Sequence, residues 1–239
     1  MVSEHPVSLG KSRQSAIFLA ILPLLCPNDR STIGPPQRRE KEKSPSGQFP
    51  LRKAAGVAYL TIDALEAGLD HVRQSPIDVG SLDLIVCRPA VDDRLVLGQG
   101  ALDLDVGLVG DTWNARSSTS TPDGSPNPDA QLTLMNARAI ALIAGDPERW
   151  PIAGDQLYVD LDLSQEAQPA GTRLSIGEAV IEITANPHRG CAKFSARFGP
   201  EALRFVNTGP GLLLNLRGRN AKVVIPGTIR RGDAVRRLS

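Results

Sequence analysis

The stretch RLSIGEAVIEIT, residues 173–184, decides the fold. Arg173 to Ile176 and Glu178 to Thr184 each alternate polar with apolar side chains, and Gly177 separates them. A period of two puts alternate residues on opposite faces, as a half-buried strand requires. Two such runs around a glycine turn predict paired strands. Upstream, Gln156 to Leu163 (QLYVDLDL) alternates in the same way. Further upstream, Ser81 to Cys87 (SLDLIVC) reads as a strand, and Arg94 to Leu97 and Ala101 to Asp105 read as strand, turn and strand across Gly98-Gln99-Gly100. Downstream come Ala221 to Ile225, a Pro226-Gly227 turn, Thr228 to Arg230, and Ala234-Val235.

Helical signals lie between these strands. A short helix is predicted after a cap at Thr61 or Asp63, and another over Leu134 to Ala144, ending at Gly145. Ala192 to Phe198 and Glu201 to Val206 read as short helices broken by Gly199-Pro200. Gly107 to Trp113 reads as a glycine-hinged loop. Ser117 to Asp129 holds no apolar residue and three prolines, so it is expected to be a long exposed loop. The pattern has no βαβ rhythm, no internal repeat and no spanning helix. The expected fold is therefore mainly β (α+β), a strand-rich barrel or rolled sheet with peripheral short helices, rather than a doubly wound α/β sheet.

The chain has 27 Lys+Arg and 26 Asp+Glu, a formal net charge of +1, which argues against nucleic acid as the main partner. Three cysteines in 239 residues exclude a disulfide-built domain. Residues 1–50 differ from the rest and are expected to be a disordered extension, leaving residues 51–239 as a single domain. Ala16 to Cys26 is apolar behind Lys11 and Arg13 but falls short of the ~20 residues of a membrane span. It has the charged start of an export signal, but no small-x-small cleavage site follows. The expected location is the cytoplasm, with export as the alternative if residues 11–26 act as a signal.

Cys26, Cys87 and Cys191 are unequal. Cys26 lies in the extension. Cys87 ends a predicted strand and is expected in the core. Cys191 stands in Pro187-His188-Arg189-Gly190-Cys191-Ala192-Lys193, the chain's one close grouping of Cys, His, Arg and Lys. It opens a predicted helix, and the helix dipole with Arg189 and Lys193 favours its thiolate. A buried structural thiol is the plain alternative. His188 and Cys191 make half of a zinc site at most, because no second ligand pair exists. A cysteine hydrolase with His188 as base is a further alternative. Phosphate-loop motifs are absent. Asp155, Asp160 and Asp162 suggest a metal site or an acid–base pair, with Asp160 and Asp162 on one face of a strand, but a solvated strand face is the expectation. Phe194, Phe198 and Phe205, three of five phenylalanines, are expected to pack the helices after Cys191 onto the barrel.

Several separated segments resemble the MOSC domain, found at the C-terminus of molybdenum-cofactor sulfurases and as short stand-alone bacterial proteins. They are Gly154-Asp155-Gln156 to Leu163, Gly171-Thr172-Arg173-Leu174-x-Ile176-Gly177-x-Ala179, Ile181-Glu182-Ile183-Thr184, and Pro187-His188-x-Gly190-Cys191-x-Lys193-Phe194. Gly107-Leu108-Val109-Gly110-Asp111 and Arg230-Arg231-Gly232-Asp233 also fit, and GDxW, TPDGSPxPD and GDQLYVDLDLS segments point to the short members. The resemblance covers roughly residues 82–235 and leaves the first 50 out.

It implies a strand-rich barrel in which Cys191 carries sulfur as a persulfide or ligates molybdenum in a pterin-dithiolene cofactor. A soft thiolate suits both roles. The protein would be a sulfurtransferase-like carrier or a molybdenum-dependent oxidoreductase, partnered by the small-molecule cofactor or a sulfur-donor protein. His188, Arg189, Lys193, Arg217, Arg219 and Asn220 are the candidate cofactor-binding residues. The larger sulfurases hold pyridoxal phosphate in a separate domain; this sequence has no such domain, and nothing marks Lys193 as a Schiff-base lysine. The competing class is an interaction module in which Cys191 is structural and the loop from Thr119 to Asp129 is the contact surface.

Overall fold

The computed structural model describes residues 59–239. The expectations for the extension and for Cys26 therefore lie outside the described residues. The strands are β1 (Val79–Cys87), β2 (Leu95–Leu97), β3 (Gln99–Asp103), β4 (Gly107–Leu108), β5 (Leu132–Asn136), β6 (Leu157–Asp160), β7 (Arg173–Ile176), β8 (Ala179–Ile183), β9 (Arg219–Ile225), β10 (Gly227–Arg230) and β11 (Ala234–Arg237). The helices are α1 (Ile62–Ala67), α2 (Leu69–Arg73), α3 (Ala137–Ala144), α4 (Ala192–Phe198), α5 (Pro200–Asn207) and α6 (Gly209–Leu213).

Seven strands close a barrel in the order β1, β11, β7, β8, β9, β5, β6 and back to β1. Closure depends on the length of β1. Val79 to Ser81 pair with β11, Ser81 to Ile85 pair with β6 across a bulge, and Ile85 to Cys87 pair with β2. Closing the sheet removes its free edges. The predicted pair at 173–184 is β7 and β8, antiparallel with Leu174 opposite Ile181. This is the strand-rich barrel with short peripheral helices that the sequence predicts.

The barrel has two apolar surfaces. Leu82, Ile85, Leu134, Leu157, Val159, Leu174, Ile181 and Val235 fill its interior. Leu84, Val86, Met135 and Tyr158 point the other way, against α1 to α5. Phe194, Phe198 and Phe205 belong to this outer cluster, as expected, with the Phe194 and Phe198 ring centroids 4.9 Å apart. Cys87 is buried in the barrel core.

Three expectations are corrected. The helix read from Leu134 begins at Ala137, because Leu134 to Asn136 complete β5. That strand, LTLMN, is buried at every position and alternates over only three residues before Met135, so Leu134 and Met135 read as the start of the apolar helical run. Asn136 makes the switch by capping α3, accepting from the Ala139 N–H at 2.9 Å. Consequently β5, α3 and β6 form one βαβ unit with a parallel β5–β6 pair, where no such rhythm was expected. Finally, the runs flanking Gly98 do not pair with each other. β2 joins the barrel, whereas β3 joins β10 and β4 in a separate three-stranded sheet, so Gly98 sits at a corner.

One glycine is fixed by its surroundings. Gly218 has φ +109°, and a Cβ there would lie 2.0 Å from the Leu134 carbonyl oxygen. Gly218→Ala should cost about 1–3 kcal/mol from backbone conformation alone, and more from the clash. A thermal melt matching the parent would overturn this.

Candidate functional site

Cys191 is exposed and is the N-cap residue of α4, in extended backbone at φ −123° and ψ 178°, with no side-chain cap hydrogen bond. The loop before it is tied down at three places. The Asn220 amide donates to the Asn186 and Pro187 carbonyls at 3.2 and 3.3 Å. Asn207, at the end of α5, accepts from the Gly190 N–H at 2.9 Å and donates to the Gly190 carbonyl at 3.0 Å. Between these clamps His188 turns inward, its Nδ1 3.5 Å from Asp155 Oδ1. An exposed thiol at the end of a loop fixed by these hydrogen bonds is held in place.

Asp155 is the centre beneath that loop. It is fully buried, and its Oδ2 accepts from Arg217 Nη1 at 2.6 Å. Arg217 Nη2 also donates to the Ala153 carbonyl at 3.2 Å, and the guanidinium lies 5.0 Å from the Phe194 ring centroid. Arg217 thus links the segment from Ala153 to Asp155 with Phe194 of α4. The expectation that Asp155 lies on a solvated strand face is wrong: it precedes β6 and is buried. Asp160 pairs with Arg138 at 2.7 Å, and Asp162 Oδ1 accepts from the Ser164 N–H at 2.8 Å.

Burial and the Arg217 guanidinium push the His188 pKa down to about 3, against the pull of Asp155. The ring is therefore neutral at pH 7. Its folded pKa lies below the ordinary value of 6.5, so between pH 6.5 and 3 the unfolded chain binds the extra proton. The stability contributed is complete above that window and is lost as pH falls through it. His188→Gln should flatten the acid limb of a plot of urea midpoint against pH. An unchanged limb would remove His188 from the acid response.

The remaining predicted residues divide. Arg219 is buried and donates to the Gln168 and Thr184 carbonyls, at 2.9 and 3.4 Å, so it holds backbone. Asn220 is a loop clamp. Arg189 and Lys193 are exposed, and Lys193 Nζ lies 3.9 Å from Asp92 Oδ1. Among the described residues no group of three or more His, Cys, Asp or Glu is arranged to hold a metal ion.

Sequence reasoning missed a second set of residues. Asp111 takes Arg88 in a fork, Oδ2 accepting from Nε at 2.7 Å and Oδ1 from Nη2 at 2.9 Å. Arg88 Nη1 reaches the Gly154 carbonyl at 2.9 Å, next to Asp155. Burial, with Asp111 adding, pushes the Cys87 thiol up. A separate groove of about 900 Å³ runs beside β1 and β2, lined by Leu84, Val96, Trp150 and Pro151, and shares no residue with the Cys191 loop. No helix among the described residues is long and apolar enough to cross a membrane.

Neither a protein-family model nor a curated protein matches the sequence. Among solved structures, the chain is similar to the YuaD protein from Bacillus subtilis at 17% identity, covering 66% of this chain and 94% of that one, with a TM-score of 0.45. It is similar to YiiM from Escherichia coli at 21% identity, covering 66% and 70%, with a TM-score of 0.44. YiiM from Geobacillus stearothermophilus aligns at 11% identity over 68% and 74%, with a TM-score of 0.43.

Proposed function

We propose that the chain is a MOSC-type protein that acts through Cys191, carrying sulfur as a persulfide or ligating the molybdenum of a pterin-dithiolene cofactor. The observation that carries this reading is an exposed thiol at the head of α4, on a loop clamped by Asn220 and Asn207 and seated on His188 and Asp155. The PHRGCAKF segment and the barrel agree with the resemblance to that domain. For sulfur, the Cys191 thiolate attacks the outer sulfur of a donor persulfide. A new S–S bond forms on Cys191, the donor's S–S bond breaks, and the donor leaves as a thiolate.

The donor set also fits the molybdenum group. A pterin-dithiolene brings its own sulfur ligands, so one soft protein thiolate is enough, and no cage of several protein ligands is needed. When bound, the group supplies two-electron redox chemistry. The chain's own part is to hold Cys191 at a fixed point, to keep His188 neutral, and to seat Arg217 against Asp155 so that its charge is not free.

The test uses the full chain purified from a host that makes the molybdenum cofactor. Molybdenum, pterin and cyanide-labile sulfur are measured per chain. Labile sulfur, or molybdenum with pterin, near one equivalent supports the proposal. Background levels of all three overturn it.

A further inference from the structure

Guanidinium groups gather around Gly154, and the carboxylates near them are already committed. Asp111 Oδ2 accepts from both the N–H and Nε of Arg88, and its Oδ1 accepts from Arg88 Nη2 and the Trp113 N–H. Asp92 Oδ1 is held by Arg197 Nη2 at 2.9 Å, with Lys193 Nζ at 3.9 Å. That leaves Arg94 and Arg116 with no carboxylate partner among the described residues. Arg94 Nη1 donates to the Asp93 carbonyl, but its buried Nε has no hydrogen-bond partner among the described residues.

The geometry is close. Gly154 has φ +95° and no side chain. A Cβ built on it would lie 3.4 Å from Arg94 Nη2 and 3.5 Å from Arg197 Nη1. Two guanidiniums therefore converge on one bare backbone position, Arg197 Nη1 also donating to the Ile152 carbonyl at 2.9 Å, and a third, Arg88, holds the carbonyl of the same residue. Arg116 is linked to Arg88 through Thr112, its Nη2 donating to Thr112 Oγ1 while Thr112 Oγ1 donates to the Arg88 carbonyl. Burial pulls the Arg94 pKa down, and the neighbouring Arg197 and Arg88 add to it, against the pull of Tyr158 and Asp92. Partly buried like charges are costly unless an anion joins them, and guanidinium forks match the oxygens of phosphate.

We infer that Arg94 and Arg197, beside the bare Cα of Gly154, form an oxyanion site that takes the phosphate end of a ligand. Arg197 stands on α4 six residues from Cys191, about 9 Å along the helix axis, and the inference rests on the reading of Cys191 only in linking that ligand's other end to the thiol. Arg88, Arg94 and Arg197 come from separate segments that the fold, not the sequence, brings together.

Inorganic phosphate is titrated calorimetrically, at ionic strength fixed with chloride, into the full chain, Arg94→Gln, Arg94→Lys and Cys191→Ser. The expected result is binding to the parent and to Cys191→Ser, at least tenfold weaker binding to Arg94→Gln, and an intermediate loss in Arg94→Lys. In phosphate-free buffer, Arg94→Gln is expected to melt no lower than the parent, because it removes an uncompensated charge. No phosphate binding by the parent, or undiminished binding by a folded Arg94→Gln, overturns the site. A lower melt of Arg94→Gln in phosphate-free buffer also counts against it, as a purely structural arginine would give. Because Cys191→Ser is read separately, failure here leaves the sulfur chemistry of Cys191 to stand or fall by its own assay.

Discussion

Asp155→Ala will lower unfolding stability by about 3–5 kcal/mol, the usual loss when one partner of a buried ion pair is removed. Asp155 is fully buried and accepts from Arg217 at 2.6 Å, with His188 Nδ1 at 3.5 Å. Its removal strands the Arg217 guanidinium, whose side chain is itself only 8% exposed, between the Ala153 carbonyl and the Phe194 ring. For a domain of this size, each kcal/mol moves the melting midpoint by about 2–4 °C, so a fall of roughly 10 °C is expected. Asp155→Asn keeps the shape and one acceptor while removing the charge, and should fall between Ala and the parent. The double variant Asp155→Ala with Arg217→Leu should recover part of the loss, because it leaves no unpaired charge. A melt of Asp155→Ala within about 1 °C of the parent would show that the pair holds nothing together.

Most of the barrel was legible, and the failures have identifiable physics. β7 and β8 alternate cleanly because each has one face in the core and the other facing outward, so the period of two survives in the sequence. β5 is buried at every position, and its alternation lasts only from Leu132 to Leu134 before Met135 and Asn136 lead into the helix, too short a run to announce a strand. The corner at Gly98 was invisible because two short apolar runs around a glycine read the same whether the second run folds back or departs to another sheet.

The site divides along the same line. The exposed place of Cys191 at the head of α4 was legible because the helix signal begins beside it in the sequence. Asp155 was misplaced, although a signal was present. It shares the parity of Leu157 and Val159, which face the core, whereas Asp160 and Asp162 fall on the opposite parity. Period-two phase therefore separates the buried carboxylate from the two lesser ones. The arginines left no comparable trace. Arg88, Arg94, Arg116, Arg197 and Arg217 come from separate segments of a chain whose formal net charge is only +1, and only closure of the barrel with α4 against it brings them together.

Cys191→Ser should abolish labile sulfur or metal loading while leaving the fold intact or slightly firmer. The thiol is exposed and caps nothing, yet its residue has N-cap geometry. A serine hydroxyl there can accept from the N–H groups of the first turn of α4, which a cysteine does poorly. N-cap serine is worth about 0.5–2 kcal/mol over residues that cannot cap, so the melting midpoint should hold or rise. Oxygen cannot stand in for sulfur in either proposed role, since it neither stores a sulfane sulfur nor matches a thiolate as a soft ligand. Cys87→Ser should do the reverse. It puts a hydroxyl into the apolar barrel core, where an unsatisfied polar group costs about 1–3 kcal/mol, and it should leave sulfur or metal content per folded chain unchanged. The two serine variants thus move stability and loading in opposite directions, a crossing that a structural role for Cys191 cannot produce. Full sulfur and metal loading in Cys191→Ser would end the case for that residue, whatever chemistry the barrel performs.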